Sequence, residues 1–150
     1  MSEITIYDNP LCDEIKAMEK TLKKTYLGIV YFLEYGNLLK IGCTNRPYQR
    51  MGNLKRSAVN YADLTISRVA IGFKGTNYRK IENAFHKALH EYRKDGTELF
   101  NISLEDAIST TIDIEPEDRS EEIRLEAEAF KERMAGFIFG TTDINGNRLS

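Results

Sequence analysis

Tyr31 and Lys40 are the first pair of side chains in this 150-residue chain that could act together on a reacting group. They lie within residues 28–42, GIVYFLEYGNLLKIG, where two short apolar runs flank Gly36-Asn37. A glycine at the first central position suits a type II′ two-residue hairpin turn, whose twist matches antiparallel strands. A turn there sets Tyr31 opposite Gly42 and Leu33 opposite Lys40. Side chains alternate between faces, so the phenol and the ammonium become diagonal neighbours on one face, within reach of one reacting group. Gly42 leaves the space above that face open, and such a patch is an odd thing to build into a core.

Further groups of the same kind follow on helices. Asn45 precedes Arg46-Pro47, a cap residue and a first-turn proline, and opens a helix whose buried stripe is Tyr48, Met51, Leu54 and Ala58. Arg50 lies roughly 100° round from the centre of that stripe, on its flank. Gly75-Thr76-Asn77 opens a longer helix running to about Lys94, with Ile81, Phe85, Ala88 and Tyr92 as its apolar side. Glu82, His86 and Arg93 run along one flank of that side, and His90 falls nearly opposite it.

The elements that must position these groups are few. Residues 1–10 form a polar lead-in, and Leu11, Ile15, Met18 and Leu22 have the spacing of a short helix. A third strand runs from Leu64 to Phe73, with a change of phase at Arg68-Val69 that suggests a bulge. Asp95-Gly96 ends the long helix, and Glu98-Leu99-Phe100 returns towards the sheet. Ser103 then caps a helix with an acidic first turn, residues 117–134 form an acidic helix, and residues 140–150 make a loose end. The expected class is α+β: a small three-stranded antiparallel or mixed sheet with flanking helices. Its core spans residues 27–103, with helical extensions over 1–26 and 104–150.

A hydrophobic content of 41% over this length provides for one core. Cys12 and Cys43 show no metal-ligand spacing, and no long apolar span or signal peptide is visible. A soluble, thiol-reduced, cytoplasmic protein with no membrane partner is therefore expected. The net charge is only −2, but it is unevenly spread. Residues 27–101 hold twelve Lys and Arg against six acids, or +6, whereas residues 102–150 hold five against twelve, or −7. A basic middle points to nucleic acid, and a tail of that sign would be repelled by phosphate. Ile114, Ile123, Phe130 and Phe137 lie roughly a heptad apart and give the tail an apolar edge. That edge is expected to bury on the core, on a second copy in a homo-oligomer, or on a protein partner.

The string GIVYF…LLKIGCTNRPYQR, followed by IENAFHKALHEYR and TELF, resembles the GIY-YIG nuclease superfamily, and in particular its KIG-type branch named after a phage T5 reading frame. The resemblance covers residues 27–101 and rests on the order of its parts: a Tyr strand, a KIG strand, an Arg ten residues after the Lys, and a Glu on a later helix. It implies a metal-dependent DNA endonuclease, in a bacterial or phage-infected cell. Position by position, it makes Tyr31 the first-strand tyrosine and puts Lys40 where other branches have the second tyrosine. Arg50 becomes the helix arginine, and Glu82 the ligand of a single Mg²⁺ or Mn²⁺. In-line phosphodiester cleavage needs an activated water, a cationic clamp and help for the leaving oxygen. Arg50 would clamp the non-bridging oxygens, and Tyr31, alone or deprotonated through Lys40, would activate or position the water. His86 is the remaining proton relay, because Leu54 stands where many members have a histidine. Arg46, Lys55, Arg56 and Arg93 are the further expected DNA contacts. Glu98 either completes the site or caps a strand.

Two other readings stay open. Leu54 and the acidic extension suit a nucleic-acid-binding or regulatory module that keeps the fold without turnover. Glu82 and His86 would also serve a structural metal site or a partner surface with no phosphate chemistry.

Overall fold

A computed structural model describes residues 3–57 and 65–138. The expected hairpin lies at the centre of a sheet. β2 (Gly28–Tyr35) and β3 (Leu38–Thr44) pair antiparallel, with Tyr31 opposite Gly42 and Leu33 opposite Lys40. Gly36 takes φ +62, and Phe73 alone among the described non-glycine residues has positive φ. Asn37 therefore does not, which is the type II′ pattern.

The sheet is wider than the three strands expected, and of the two arrangements expected it is the antiparallel one. Its order is β1-β4-β2-β3-β5, with β1 at Ile4–Tyr7, β4 at Arg68–Gly75 and β5 at Leu99–Phe100. β1 falls within the stretch read as a polar lead-in. Its Ile-Thr-Ile-Tyr suits a strand by propensity, but it is short, lies at an edge and is nowhere fully buried. The bulge lies at the other end of β4 from the one expected. Gly28 pairs with Gly75 but Val30 with Gly72, so β4 carries one extra residue there, next to Phe73 at φ +54. Val69 and Ile71 pack on one side of the sheet, and the bulge turns Phe73 to the other. The expected start of this strand at Leu64 lies outside the described residues, as does Ala58.

Both faces of the sheet are covered. α1 (Asp13–Leu22) and α2 (Pro47–Ser57) pack Ile15, Leu22 and Met51 against Ile29, Tyr31, Leu33, Val69 and Ile71. α3 (Tyr78–Ala88) and α4 (Leu104–Thr111) pack Ile81, Phe85, Leu104 and Ala107 against Val30, Phe32, Leu39 and Ile41. Phe85 stacks on Phe32 at 5.3 Å and meets Phe73 edge-on at 4.6 Å. Covering both faces explains why β2 is an almost unbroken apolar run rather than an alternating one.

Three local details set the helices. Asn77 precedes α3, but its side chain accepts from the Glu117 N–H at 2.9 Å instead of capping its own helix. Ser103 does cap α4, accepting from the Asp106 N–H at 3.1 Å. Glu19 on α1 accepts from the Gln49 N–H at 3.0 Å, a carboxylate at the positive end of α2. Glu19→Ala is expected to cost about 1 kcal/mol, a typical loss for a helix cap, read as a lower urea midpoint at unchanged m-value.

The long helix ends earlier than its periodicity suggests. α3 stops at Ala88, a 3-10 turn follows over His90–Tyr92, and Arg93 is extended. Backbone pairing with the β5 strand takes the place of another helical turn: Lys94 N–H donates to the Leu99 carbonyl and Asn101 N–H to that of Tyr92. Tyr92, expected on the apolar stripe, is consequently exposed. Gly96, at φ +74, makes the tight turn between the two paired segments.

The residues up to Asp118 form one compact unit and those from Arg119 a second. In the second, α5 (Ser120–Ile138) is laced by Arg124, which bridges Glu121 and Glu128, and it exposes Leu125, Phe130 and Met134. Ile114 belongs to the first unit, packed against the core on the α3 side, whereas Ile123 and Phe130 belong to the second. The Phe137 side chain and residues 140–150 lie outside what is described. No helix among the described residues is long and apolar enough to cross a membrane.

Candidate active site

The site lies over an edge of the sheet rather than on one face. β5 pairs only with Leu39 and Lys40, so β3 runs on past it, and Ile41, Gly42 and Cys43 border a cavity of about 490 Å³. From the α2 side come Tyr31 and Arg50, and from the α3 side Glu82 and His86. Lys40, Arg93 and Glu98 complete its wall. The five residues expected to do chemistry therefore border one cavity, from four separate elements: β2, β3, α2 and α3.

Gly42 is not bare. Tyr31 is 0% exposed and its phenol lies across that glycine, where an added Cβ would collide with its oxygen and Cζ. Arg50 Nε donates to the phenol oxygen at 3.3 Å. Burial pushes the phenol above its ordinary value, and the adjacent Arg50 guanidinium pulls it back only in part. Tyr31 is thus a neutral O–H donor near pH 7, with its acceptor side already used by Arg50.

Lys40 Nζ is 3.0 Å from Glu98 Oε2, and this bond holds the Glu98 carboxyl below its ordinary range. Glu82 is the other carboxylate of the cavity. Its Oε2 accepts from the Cys43 thiol at 2.9 Å, and its Oε1 is 3.4 Å from His86 Nε2. Burial, and then the hydrogen bond to Glu82, push the thiol up to about 12, so Cys43 is a protonated donor. The His86 ring tilts against Phe100, 5.4 Å between centroids.

Of the four expected DNA-contacting residues, Arg93 borders the cavity, but from the extended segment after α3 rather than from the flank of a helix. Arg46, Lys55 and Arg56 are exposed and do not border it. At 100° per residue, Lys55 and Arg56 point about 140° and 120° away from Arg50 round α2. Leu54 packs partly buried beneath α2, on the core side.

Sequence reasoning passed over Cys43. It faces the α3 side of the sheet, the opposite side from Tyr31, and only the closeness of the edge brings the two together. The alternation of Leu39, Ile41 and Cys43, set beside the Glu82 flank of α3, was the available signal.

The chain belongs to the T5orf172 domain family, which it matches over residues 28–115. That span runs from the start of β2 to just beyond α4 and takes in every cavity residue named above. It leaves out β1, α1 and α5. No curated protein and no solved structure matches the chain.

Proposed function

We propose that this chain is a GIY-YIG-like, divalent-metal-dependent endonuclease that hydrolyses phosphodiester bonds in DNA. The observation that carries this reading is the meeting of Tyr31, Lys40, Arg50, Glu82 and His86 at one cavity. A family of phage-derived type and the basic middle of the chain support it.

The donor set fits magnesium in its sparsely ligated form. Among the described residues no three His, Cys, Asp or Glu side chains are grouped to cage a metal, and Glu98 is engaged with Lys40. Glu82 is then the single carboxylate ligand, with water filling the other positions, as Mg²⁺ accepts. A Mg²⁺ held by Glu82 would supply Lewis-acid chemistry for the phosphoryl oxygen and for a bound water. Arg50 spends its Nε on Tyr31 and keeps its two terminal nitrogens to clamp non-bridging oxygens. Tyr31 donates its proton in a hydrogen bond to the attacking water or to a phosphoryl oxygen. Lys40, 3.0 Å from Glu98 Oε2, contributes positive charge at the cavity wall. His86, beside Glu82 and open to the cavity, carries a proton to the leaving oxygen.

The test is cleavage of supercoiled plasmid by the full chain with Mg²⁺ or Mn²⁺, against the same reaction in EDTA. Metal-dependent nicking or linearisation is expected. Salt-sensitive DNA binding without cleavage would favour a silent binding module, the reading that Leu54 in place of a histidine suits.

Cys43 orients the metal ligand through the bond to Glu82 Oε2. Cys43→Ala is expected to lower cleavage roughly tenfold, within the usual range for a group that holds a ligand in place. Cys43→Ser retains a donor and should keep most of the activity. Equal losses in both variants would show that the thiol matters for packing only.

A further inference from the structure

We propose that a second cavity, bordered by His86, Lys87, His90, Arg93 and Phe100, is a subsite for the phosphate next to the one cleaved on the same DNA strand. The inference rests on the endonuclease reading and extends it to residues that reading leaves unused, Lys87 and His90.

Three observations carry it. The cavity measures about 360 Å³ and shares two of its walls, His86 and Arg93, with the cavity that holds Glu82. A polymer leaving the first cavity on that side therefore has a formed place to go, one side chain away. The two cavities differ in charge character: the first contains Glu82 and Glu98, whereas the second has no carboxylate in its lining. Lysine, arginine and two imidazoles over an apolar floor make a site for an anion, with donors on several sides. The shared wall is also fixed in place. Phe100 is 1% exposed and supports the His86 ring at 5.4 Å, and Arg93 Nε donates to the Thr97 carbonyl at 3.0 Å. That anchor leaves the terminal nitrogens of Arg93 to bridge between the cavities. The C-terminal end of α3 brings a partial negative charge nearby, and the full charges of Lys87 and Arg93 outweigh it.

A phosphate contact has a signature that a structural role lacks, because each one lost removes about 0.9 from the slope of log K against log salt on duplex DNA. The experiment compares the full chain with Lys87→Ala/His90→Ala, using a fluorescent 20-base-pair duplex for binding and the same duplex for steady-state cleavage. Lys80→Ala, an exposed lysine of α3 outside both cavities, is the charge-matched control. The double variant is expected to bind about tenfold more weakly, with a salt slope lower by about one. Its KM should rise at nearly unchanged kcat, and its melting temperature should match that of the wild type, since both side chains are exposed. Affinity and salt slope equal to those of the Lys80→Ala control, in a protein whose wild type binds and cleaves DNA, would overturn the subsite and leave the endonuclease reading standing. Absence of both DNA binding and cleavage in the wild type would overturn the endonuclease reading, and the subsite with it.

Discussion

Glu82→Ala is expected to reduce Mg²⁺-dependent plasmid cleavage to background, at least about 10³-fold below wild type, because the proposed site would lose the carboxylate assigned to hold its metal. The fold should hardly notice. Glu82 is partly exposed on the flank of α3, and the helix is anchored by Ile81, Phe85 and Leu89 on its buried side. The change in unfolding free energy should stay below about 1 kcal/mol, as for substitutions away from a core. Glu82→Gln sharpens the measurement, since the amide oxygen can still accept from Cys43 while the charge is gone. Titration of Mn²⁺ into each variant, followed by electron paramagnetic resonance, should show weakened binding in both. Retained cleavage would remove Glu82 from the metal site, and collapse of the melting transition would mark it as a structural charge.

How much of this was legible beforehand differs from element to element. The hairpin could be read because Gly36-Asn37 allows essentially one tight turn, and that turn determines every facing pair up to Thr44. The α3 flank could be read because Ile81 and Phe85 fix which side of the helix is inward. Where local and tertiary demands compete, the sequence alone misleads. Residues 89–94 have helical periodicity, but their backbone groups go to the β5 strand, and no pattern within the segment announces that partner. β1 was invisible for a related reason. Four half-exposed residues at an edge carry little alternation, and their place depends on β4, more than sixty residues later. The bulge at Phe73 is hidden too, because Phe73 continues the Val69 and Ile71 alternation and only the positive φ turns it away.

A site over an edge also explains why a face-by-face reading found most of it but not all. Tyr31 and Lys40 share a face and could be paired from register alone. Glu82 and His86 belong to a helix on the other side, so their meeting with Tyr31 depends on β5 being only two residues long. A longer β5 would cover Ile41, Gly42 and Cys43 and separate the two halves. The shortness of that strand is what lets residues from both sides of the sheet border one cavity.

Gly42→Ala should damage the site more than so small a change suggests. A Cβ at that position enters the space of the Tyr31 phenol, and its oxygen, Cζ and Cε2 are the three nearest atoms. The ring cannot swing into solvent, being 0% exposed with Ile29, Leu33, Met51 and Ile71 in the same packed cluster. Relief must come from displacing the phenol off Arg50 or from shifting β3, and overpacking of this kind costs about 1–3 kcal/mol. The expected outcome is a loss of cleavage of about 10²-fold, the scale of removing one preorganised hydrogen-bond donor, together with a measurable fall in melting temperature. A double-mutant cycle separates the two consequences. If the glycine serves to seat the phenol, Gly42→Ala should add little further loss of cleavage in a Tyr31→Phe background, because the group it displaces is already absent. Full additivity of the two losses in cleavage would mean that Gly42 acts through the path of β3 and not through Tyr31. Wild-type activity in Gly42→Ala would show that the position of the phenol against Arg50 has no part in the reaction.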